Sequence, residues 1–534
     1  MPQVQIYDTT LRDGAQQEGI SLSVADKLKI TRRLDNLGIH FIEGGWPGSN
    51  PKDTEFFTKA QELNLQNSVL VAFGSTKRFG FDVDKDVNLQ ALINANTQVV
   101  TIVGKTLDLQ ATQVLEISLE DNLRIISESV NYLKSKGLSV FFDAEHFFDG
   151  YKANPDYALQ AIKTATEAGA ECVVLCDTNG GALPIEIAAA IGAAQKTVSV
   201  PLGIHTHNDA DLAVINSLTA AQAGVAQIQG TINGYGERCG NANLCSIIPA
   251  LKLKLGFDCI TDEQLAKLTD VSHYIADLAN LAPSNHLPYV GTSAFTHKAG
   301  LHVSSMMKWE KSYQHVNPEL VGNVPKVVVS ELSGKGNIIY KARELGVALH
   351  PKGKEARQIL DQIKLLESRG FQYEGADASF ELLLHRSQTD YKPPFELVDF
   401  MVLVERHRRP SSKGQTDLLS EATVKVKVGD RIKHTAAEGN GPVNALDQAL
   451  RKALVEFYPN ITIVELIDYK VRILEESAGT ASQVRVLIEF SDGEKQWRTV
   501  GSSANIIEAS WLALADSMEH WLMRQARKSP PQKK

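Results

Sequence analysis

The stretch LGIHTHNDADLAVINSLTAAQAG, residues 202–224, carries the pattern that decides the fold. Its first part is short and apolar, as expected of a buried strand, and its second part repeats apolar residues at helical spacing. Gly224 follows the last periodic residue, which is where a helix usually ends. The stretch therefore predicts one strand followed by one helix.

The same order recurs through the first half of the chain. Eight short runs rich in apolar and β-branched residues occur there: VQIY, HFIEGG, VLVAFG, VVTIVG, SVFFDAEH, CVVLCDTNGG, LGIHTHND and AQIQGTINGYG. The helical stretches between them also end in glycine, at Gly38, Gly137 and Gly169. Alternating strands and helices indicate parallel βαβ units, and eight of them over about 250 residues match a (β/α)8 TIM barrel. A doubly wound open sheet is the alternative, but no G-x-G-x-x-G follows the first strand.

Length and charge limit the classes of protein. The 534 residues suffice for two or three domains, and a formal net charge of −8 argues against nucleic acid or anionic membrane as a partner. No apolar run is long enough to span a membrane, and MPQVQIYDTT lacks the features of a secretory signal. Five cysteines without a C-x-x-C pair fit reduced thiols. We therefore expect a cytoplasmic α/β protein.

Charged and imidazole side chains gather at the predicted carboxyl ends of the strands. They are Arg12 and Asp13 after strand one, Glu43 at strand two, Glu145 and His146 at strand five, Asp177, Thr178 and Asn179 at strand six, His205, His207 and Asn208 at strand seven, and Glu237, Arg238 and Asn241 after strand eight. A barrel brings these ends to one rim, which is where barrel enzymes place their chemistry. The pattern predicts an active site there.

A divalent metal site is the most specific part of this prediction. His205 and His207 are two residues apart on a strand, so both imidazoles point to the same side. A histidine pair that only hydrogen-bonds to its surroundings is the alternative. Asp13 and Asn241 can complete a mixed oxygen and nitrogen shell, which suits Mg²⁺, Mn²⁺ or Zn²⁺ and leaves positions open for a bidentate substrate.

Three motifs in order carry a family resemblance. DTTLRDGAQQEG, LGIHTHNDADLAVINSLTAAQAG and GTINGYGERCGNANL resemble the acyl-CoA condensing branch of the DRE-TIM metallolyase superfamily, which contains 2-isopropylmalate, homocitrate and citramalate synthases. The resemblance implies that Asp13, His205, His207 and Asn241 bind the metal. It implies further that Arg12 stabilises the oxyanion developing on a 2-oxo acid, that Thr178 binds the substrate carboxylate, and that Glu145 lies near the reacting centre.

The same resemblance implies a Claisen-type condensation of acetyl-CoA with a 2-oxo acid, followed by thioester hydrolysis. FFDAEHFFDGY at strand five resembles the long citramalate synthases, which favours pyruvate as the 2-oxo acid. Phe73, Phe142 and Trp46 near strand ends could fill the space that a branched substrate needs. The alternatives are 2-oxoisovalerate as the substrate, a lyase or aldolase of the same superfamily, and a metal-binding protein without catalysis.

The segment after the barrel is rich in Gly, Pro, Ser and His. FTHKAGLH resembles the part of these synthases that reaches over a barrel, usually the partner's, so His302 is expected to act as general base or relay. Tyr313, before an N-P pair, matches the tyrosine of that segment. His286, His297 and His315 have weaker claims.

The end of the chain shows an internal repeat. ATVKVKVGDRIKHTAAEGNGPVNALDQALRKALVEF and SQVRVLIEFSDGEKQWRTVGSSANIIEASWLALADSMEHWL both predict strand, strand, turn and helix. This layout resembles the C-terminal regulatory domain of the feedback-inhibited synthases, which implies a homodimer and an amino-acid effector, expected to be isoleucine. Gly439, Gly441 and Ser503 at the helix starts could bind its carboxylate, although ordinary helix capping also explains them.

These patterns predict four segments. The catalytic barrel covers 1–265, linking subdomains that complete the active site cover 266–394, the regulatory domain covers 395–525, and 526–534 is a disordered tail.

Overall fold

The computed structural model describes residues 2–350, 353–406, 418–474, 479 and 481–528. The chain divides into two compact units. The first holds the chain through Phe295 together with His315–Pro325, and the second holds Thr296–Gln314 and the chain from Lys326 onward.

The first unit is a closed barrel of eight parallel strands. These are β1 (Gln5–Asp8), β2 (Phe41–Gly45), β3 (Val69–Ser75), β4 (Val99–Lys105), β5 (Ser139–Glu145), β6 (Cys172–Asp177), β7 (Leu202–Thr206) and β8 (Gln227–Gly230). Each strand pairs with the next, and β1 pairs with β8 to close the sheet. The predicted TIM barrel is confirmed.

Helices surround this barrel. They are α1 (Val24–Leu37), α2 (Pro51–Ala60), α3 (Val87–Asn94), α4 (Leu119–Ser135), α5 (Phe147–Ala153), α6 (Pro155–Glu167), α7 (Pro184–Thr197), α8 (Ala213–Gln222), α9 (Leu244–Ala250), α10 (Asp262–Leu265) and α11 (Leu268–Leu278). Local sequence sets their ends: Ser23 and Asp26 form a capping box at the start of α1, and Gly38 ends it with a φ of 86° that favours glycine. Apolar helix faces and the outer faces of the strands share one buried core.

The first unit runs past residue 265, where we expect the barrel domain to end. Helix α11 packs on α1, and the Arg33 guanidinium donates to the Asp270 carboxylate at 3.1 Å. The domain boundaries remain a proposal, in which α11 now belongs to the barrel domain.

The second unit begins with short elements and three longer helices. These are β9 (Thr296–His297), α12 (Gly300–Met306), β10 (Lys326–Val327), α13 (Lys335–Glu344), α14 (Glu355–Ser368) and α15 (Asp377–Arg386). β9 and β10 pair in parallel, and α13, α14 and α15 share an apolar core.

Two similar modules follow. The first contains β11 (Glu396–Arg406), β12 (Leu418–Val428), β13 (Arg431–Gly439) and α16 (Pro442–Leu454), and the second contains β14 (Glu465–Ile473), β15 (Val484–Ser491), β16 (Gln496–Ser503) and α17 (Ile506–Lys528). Each module is an antiparallel three-stranded sheet with one helix, so the predicted duplication is confirmed. Each copy has one more strand at its start than the predicted strand-strand-turn-helix order.

Equivalent contacts show how close the two copies are. The Thr435 hydroxyl donates to the Ala449 carbonyl oxygen at 2.7 Å, and the Thr499 hydroxyl donates to the Ala513 carbonyl oxygen at 2.7 Å. The first strand of each copy also has a register irregularity near its start. The same sheet-to-helix packing therefore occurs twice.

The end of the chain and the membrane prediction can be compared with these elements. Helix α17 continues to Lys528, three residues into the predicted tail, and residues 529–534 lie outside the described residues. Within the described ranges, no helix has the length and apolar content that crossing a membrane requires.

Candidate active site

Two histidines and an aspartate meet at the carboxyl ends of β1 and β7. His205 lies in β7 and His207 directly follows it, while Asp13 follows β1. The two Nε2 atoms are 3.3 Å apart, and Asp13 Oδ2 is 3.6 Å from His205 Nε2 and 4.0 Å from His207 Nε2. All three side chains are buried, and one ligand atom from each lies within 4.8 Å of the others. The structure thus brings these predicted ligands together.

Asn241, the fourth predicted ligand, lies beside them. Its amide Nδ2 donates to Asp13 Oδ1 and to the Tyr235 carbonyl oxygen, at 3.0 Å each. Its Oδ1 is buried, and no hydrogen-bond partner for it occurs among the described residues. A buried acceptor without a partner is costly unless a ligand satisfies it. This atom and the convergent imidazoles fit a divalent metal.

Protonation at this site also fits a metal. Burial lowers the pKa of His205 to about 3, so the imidazole is neutral and its nitrogen can bind a cation. Burial alone would raise the pKa of Asp13, but the neighbouring Arg12 guanidinium holds it below its ordinary value, so the carboxylate is ionised. The His205 Nδ1 atom lies 3.1 Å from Gln229 Oε1, and donation to that oxygen leaves Nε2 free to face Asp13.

Arg12 is fixed by three neighbours. Its Nε donates to Glu43 Oε2 at 2.5 Å, and its Nη1 donates to Asp13 Oδ2 at 2.9 Å. The guanidinium carbon lies 3.9 Å from the centre of the Phe73 ring. Glu43 in turn accepts a hydrogen bond of 2.8 Å from the Tyr7 hydroxyl inside the barrel. The arginine is therefore held rigidly, as a group that stabilises developing charge should be.

A cavity of about 530 Å³ opens at this rim of the barrel. Arg12, Asp13, His205, His207, Thr178 and Glu145 all line it. The Thr178 hydroxyl oxygen accepts a hydrogen bond of 2.8 Å from the His146 backbone N–H, which leaves the hydroxyl hydrogen free to donate. His146 itself has a φ of 59°, a conformation uncommon outside glycine that tends to occur at functional sites.

Two of the three expected bulky residues line the cavity. Phe73 and Trp46 face it, and their rings make an edge-to-face contact with centres 5.4 Å apart. Phe142 faces the helix layer instead, and its ring would contact a Cβ at Gly104. The expectation for Phe142 is wrong because alternate residues of a strand point to opposite sides, and Asp143 takes the inward position.

His302 and Tyr313 lie in the second unit. Their rings stack with centres 4.1 Å apart, so the structure brings these two predicted residues together. Their roles in catalysis remain predictions. His315 packs against Phe295 and Tyr289 in the first unit, with ring centres 6.0 and 5.1 Å apart.

The predicted effector residues fall beside two different cavities of the second unit. Gly439 lines a cavity of about 960 Å³. Gly441, two residues further along the chain, is the N-cap of α16. Ser503 lines a cavity of about 970 Å³, where its hydroxyl donates to Glu508 Oε2 at 2.5 Å and accepts from the Asn505 N–H at 3.0 Å. Gly439 and Ser503 are the last residues of β13 and β16, so these two occupy equivalent positions in the two modules.

Lys105 and Gln229 were missed from the sequence. Lys105 ends β4, lines the cavity and forms an ion pair with Glu145. Its position at the carboxyl end of a strand is a signal that could have identified it. Gln229 lies in β8, and its contact with His205 arises only when the barrel brings residues 24 positions apart together.

The fold and the cluster of Asp13, His205 and His207 together define a class of protein. It is a TIM barrel whose strands carry, at their carboxyl ends, side chains suited to bind a divalent metal. Comparison with known families agrees. The HMGL-like family matches residues 3–275, the homocitrate synthase post-HMGL domain-like family matches residues 289–370, and the LeuA allosteric (dimerisation) domain matches residues 374–522.

Full-length relatives identify the group within this family to which the chain belongs. The (R)-citramalate synthase of Geobacter sulfurreducens is 54% identical over 522 residues, 98% of each chain, and that of Aquifex aeolicus is 52% identical with 98% of each covered. The 2-isopropylmalate synthase of Methanocaldococcus jannaschii is 29% identical, with 98% of this chain and 96% of that one covered. The chain belongs to the HMGL-like family and, within it, to the (R)-citramalate synthases.

Membership in this group has direct consequences. The chain is an enzyme, a transferase that moves an acyl group, and its family depends on a divalent metal. The LeuA domain is a type that serves association of subunits and regulatory binding.

Proposed function

We propose that this enzyme condenses acetyl-CoA with pyruvate and water to give (R)-citramalate and CoA, the first step of the pyruvate route to 2-oxobutanoate and isoleucine. The observation that carries the proposal is the buried cluster of Asp13, His205 and His207 beside Arg12 in one cavity, in a chain about half identical to (R)-citramalate synthases over almost its whole length. A cytoplasmic location remains a prediction.

Side chains of the barrel would hold the 2-oxo acid. Asp13, His205, His207 and Asn241 would hold Mg²⁺ or Mn²⁺, with Zn²⁺ also compatible, and the metal would supply Lewis-acid polarisation of the keto group. The Arg12 guanidinium donates to the oxygen that becomes negative when the keto carbon is attacked. The free hydroxyl hydrogen of Thr178 donates to the substrate carboxylate. These contacts fix the 2-oxo acid before acetyl-CoA reacts.

Acetyl-CoA is activated by loss of a methyl proton. His302, stacked on Tyr313, accepts this proton directly or through a relay, and Glu145 lies near the reacting carbon. The enolate carbon then bonds to the keto carbon of pyruvate. Water hydrolyses the resulting thioester, which releases CoA and the second carboxylate of citramalate.

Substrate choice tests this proposal. Phe73 and Trp46 form a fixed wall, since the Trp46 indole N–H donates to Asn88 Oδ1 at 2.8 Å. We expect kcat/KM for pyruvate to exceed that for 2-oxoisovalerate at least tenfold, because one methylene discriminates by about 1–3 kcal/mol. CoA release measured across a series of 2-oxo acids checks this, with 2-oxobutanoate expected between the two. A value for 2-oxoisovalerate equal to or above that for pyruvate would indicate a 2-isopropylmalate synthase instead.

We further propose that the chain forms a homodimer and that isoleucine inhibits it through the duplicated modules. The start of α16 at Gly441 offers backbone N–H groups to an amino-acid carboxylate. The expectation that Ser503 lies at a helix start is wrong: Ser503 ends β16, and at the start of α17 the Asn505 side chain already accepts from the Ile507 and Glu508 N–H groups. Inhibition at a distance requires different affinities for the active and inactive arrangements, typically by about 1–3 kcal/mol.

Gly441→Val is expected to raise the isoleucine concentration for half-inhibition at least tenfold, because a branched side chain covers the N–H groups at the start of α16. Inhibition curves of full-length enzyme measure this. Gly192→Val, in α7 of the barrel, is a suitable control because a Cβ there meets no atom within 4 Å, and Gly441 is equally open. Equal half-inhibition in all three proteins would place the effector elsewhere, and no response to isoleucine in the wild type would leave leucine as the effector to test.

A further inference from the structure

The proposed condensation creates negative charge on two oxygens. One belongs to the keto group of pyruvate, to which the Arg12 guanidinium donates. The other is the thioester oxygen of acetyl-CoA, which becomes negative when the methyl proton leaves. A thioester α-proton is weakly acidic, so a hydrogen-bond donor at this second oxygen should lower the barrier. A donor at this second oxygen is needed only if the proposed function holds.

Most cations that line the cavity are already engaged. Arg12 is bound by Asp13 and Glu43. The Arg238 guanidinium donates to both Asp209 oxygens and to the Thr178 carbonyl oxygen. Arg12 is assigned to the keto oxygen of pyruvate, and Arg238 has its Nε and Nη2 donors directed at protein oxygens, so neither is the candidate for the second oxyanion.

Two further cations belong to the loop after β3. Lys77 pairs with Glu128 at 2.5 Å and donates to the Phe81 carbonyl oxygen at 2.9 Å. Arg78 follows it and is exposed at the mouth of the cavity. The Lys77 ammonium is therefore bound by two protein acceptors, and Arg78 is exposed to solvent.

Lys105 differs from these residues. It is paired in register with Glu145 on the neighbouring strand β5, and the two side chains form an ion pair within the cavity wall. The side chains are 24% and 23% exposed, so they face the cavity without being fully solvated. An ammonium has three donors, and pairing with one carboxylate leaves donors for a ligand.

The backbone around this pair is fixed. The Asn122 amide donates to the Lys105 carbonyl oxygen at 2.9 Å. The Thr106 N–H and hydroxyl both donate to the Glu145 carbonyl oxygen, at 3.2 and 2.7 Å. The ends of β4 and β5 are thus joined, which fixes the backbone from which the Lys105 side chain extends into the cavity wall.

We propose that Lys105 is a further catalytic residue, whose ammonium donates a hydrogen bond to the thioester oxygen of acetyl-CoA. When the methyl C–H bond breaks, its electron pair forms a double bond to the thioester carbon, and the carbonyl π pair moves onto oxygen. The proton goes to the general base. Lys105 stabilises the resulting enolate oxygen and keeps its own proton. When the enolate carbon bonds to the keto carbon of pyruvate, the thioester carbonyl forms again.

Lys105→Met tests the assignment, because methionine keeps the length of the side chain and removes the charge and the donors. We expect kcat to fall by about 10²–10³-fold, as for the loss of one oxyanion donor. The KM for pyruvate should stay within about threefold of the wild type, since Arg12 and Thr178 hold pyruvate. Lys105→Arg, which keeps a charged donor, should recover at least tenfold of the loss and guards against a folding defect in the methionine variant.

Lys152→Met is the matched control. Lys152 pairs with Glu186 at 2.7 Å on the outer surface of the same barrel, so its removal should leave kcat unchanged. A Lys105→Met enzyme as active as this control would overturn the inference, and so would a loss confined to the KM for pyruvate.

A double-mutant cycle separates a direct role from one exerted through Glu145. In a Glu145→Gln background we expect Lys105→Met to lower kcat by a further tenfold or more. If Lys105 only orients Glu145, the second substitution costs nothing further, and the assignment is wrong. Wild-type enzyme without pyruvate-dependent CoA release would instead remove the proposed function, and the inference with it.

Discussion

His207→Ala is expected to lose divalent-metal binding and nearly all activity. The substitution removes one of three buried side chains whose ligand atoms lie within 4.8 Å of one another. Loss of a residue that only supports a metal ligand costs about 10–100-fold in affinity, so loss of the ligand itself should cost at least 100-fold. The lost imidazole also leaves a void in which a weakly held cation has no fixed position.

Titration of the purified protein with Mn²⁺, followed calorimetrically, measures the affinity. A second readout is thermal stability, because an ion that binds only the folded state raises the melting temperature with its concentration. The wild type should show this rise, and His207→Ala should not. His286→Ala is the control, since His286 is an exposed histidine of the same unit. An unchanged Mn²⁺ affinity in His207→Ala would show that the four predicted ligands are misassigned.

The barrel and the histidine pair of its candidate metal site could be predicted because both depend on local sequence patterns. Strands buried on both sides are near-continuous apolar runs, as in CVVLC, and alternation with helices admits few topologies. His205 and His207 share a side by strand geometry alone. Once eight strands close into a barrel, Asp13 reaches this rim from the loop after β1. Asn241 lies well beyond the end of β8, and its role rests on the resemblance of GTINGYGERCGNANL.

The strands β11 and β14 could not be predicted in the same way. Both are edge strands of their sheets, and several of their apolar residues are exposed, including Met401 at 59% and Ile473 at 59%. A strand without one buried face lacks the alternation of apolar and polar residues on which the prediction depends. Their mixed sequences, ELVDFMVLVER and ELIDYKVRI, therefore resemble loops.

Ion pairs between residues far apart in the sequence could not be predicted either. Glu43 is visible in the sequence as a carboxylate at a strand end, but its partner Arg12 lies 31 residues earlier. Sequence alone does not show that Glu43 points into the barrel and holds the arginine, instead of facing the substrate. The same holds for Lys105 and Glu145, which are 40 residues apart and meet only through the register of β4 with β5.

Arg12→Gln is expected to lower kcat/KM for pyruvate by about 10²–10³-fold and to destabilise the barrel. The rate falls because the developing oxyanion loses its donor. Stability falls because Glu43 and Asp13 remain buried without their cation, which typically costs about 3–5 kcal/mol when one partner of a buried pair is removed. Urea unfolding and initial rates measure the two effects separately.

The stability loss should depend on pH in a defined direction. Burial already raises the pKa of Glu43, with Arg12 opposing the rise, so removal of Arg12 raises it further. A carboxyl whose folded-state pKa exceeds its unfolded value takes up a proton on folding, and the penalty for the buried charge disappears as the pH falls below the folded pKa. The difference in unfolding free energy between Arg12→Gln and the wild type should therefore be smaller at acidic pH than at neutral pH.

Arg12→Lys separates charge from geometry. A lysine ammonium restores a cation beside Glu43 and Asp13, so much of the stability should return and its dependence on pH should weaken. It cannot reproduce the planar fork that contacts both carboxylates while stacking on Phe73, so kcat/KM should stay at least tenfold below the wild type. Full activity in Arg12→Lys would mean that a positive charge alone suffices at this position. A stable and active Arg12→Gln would mean that Arg12 neither compensates the buried carboxylates nor serves the oxyanion.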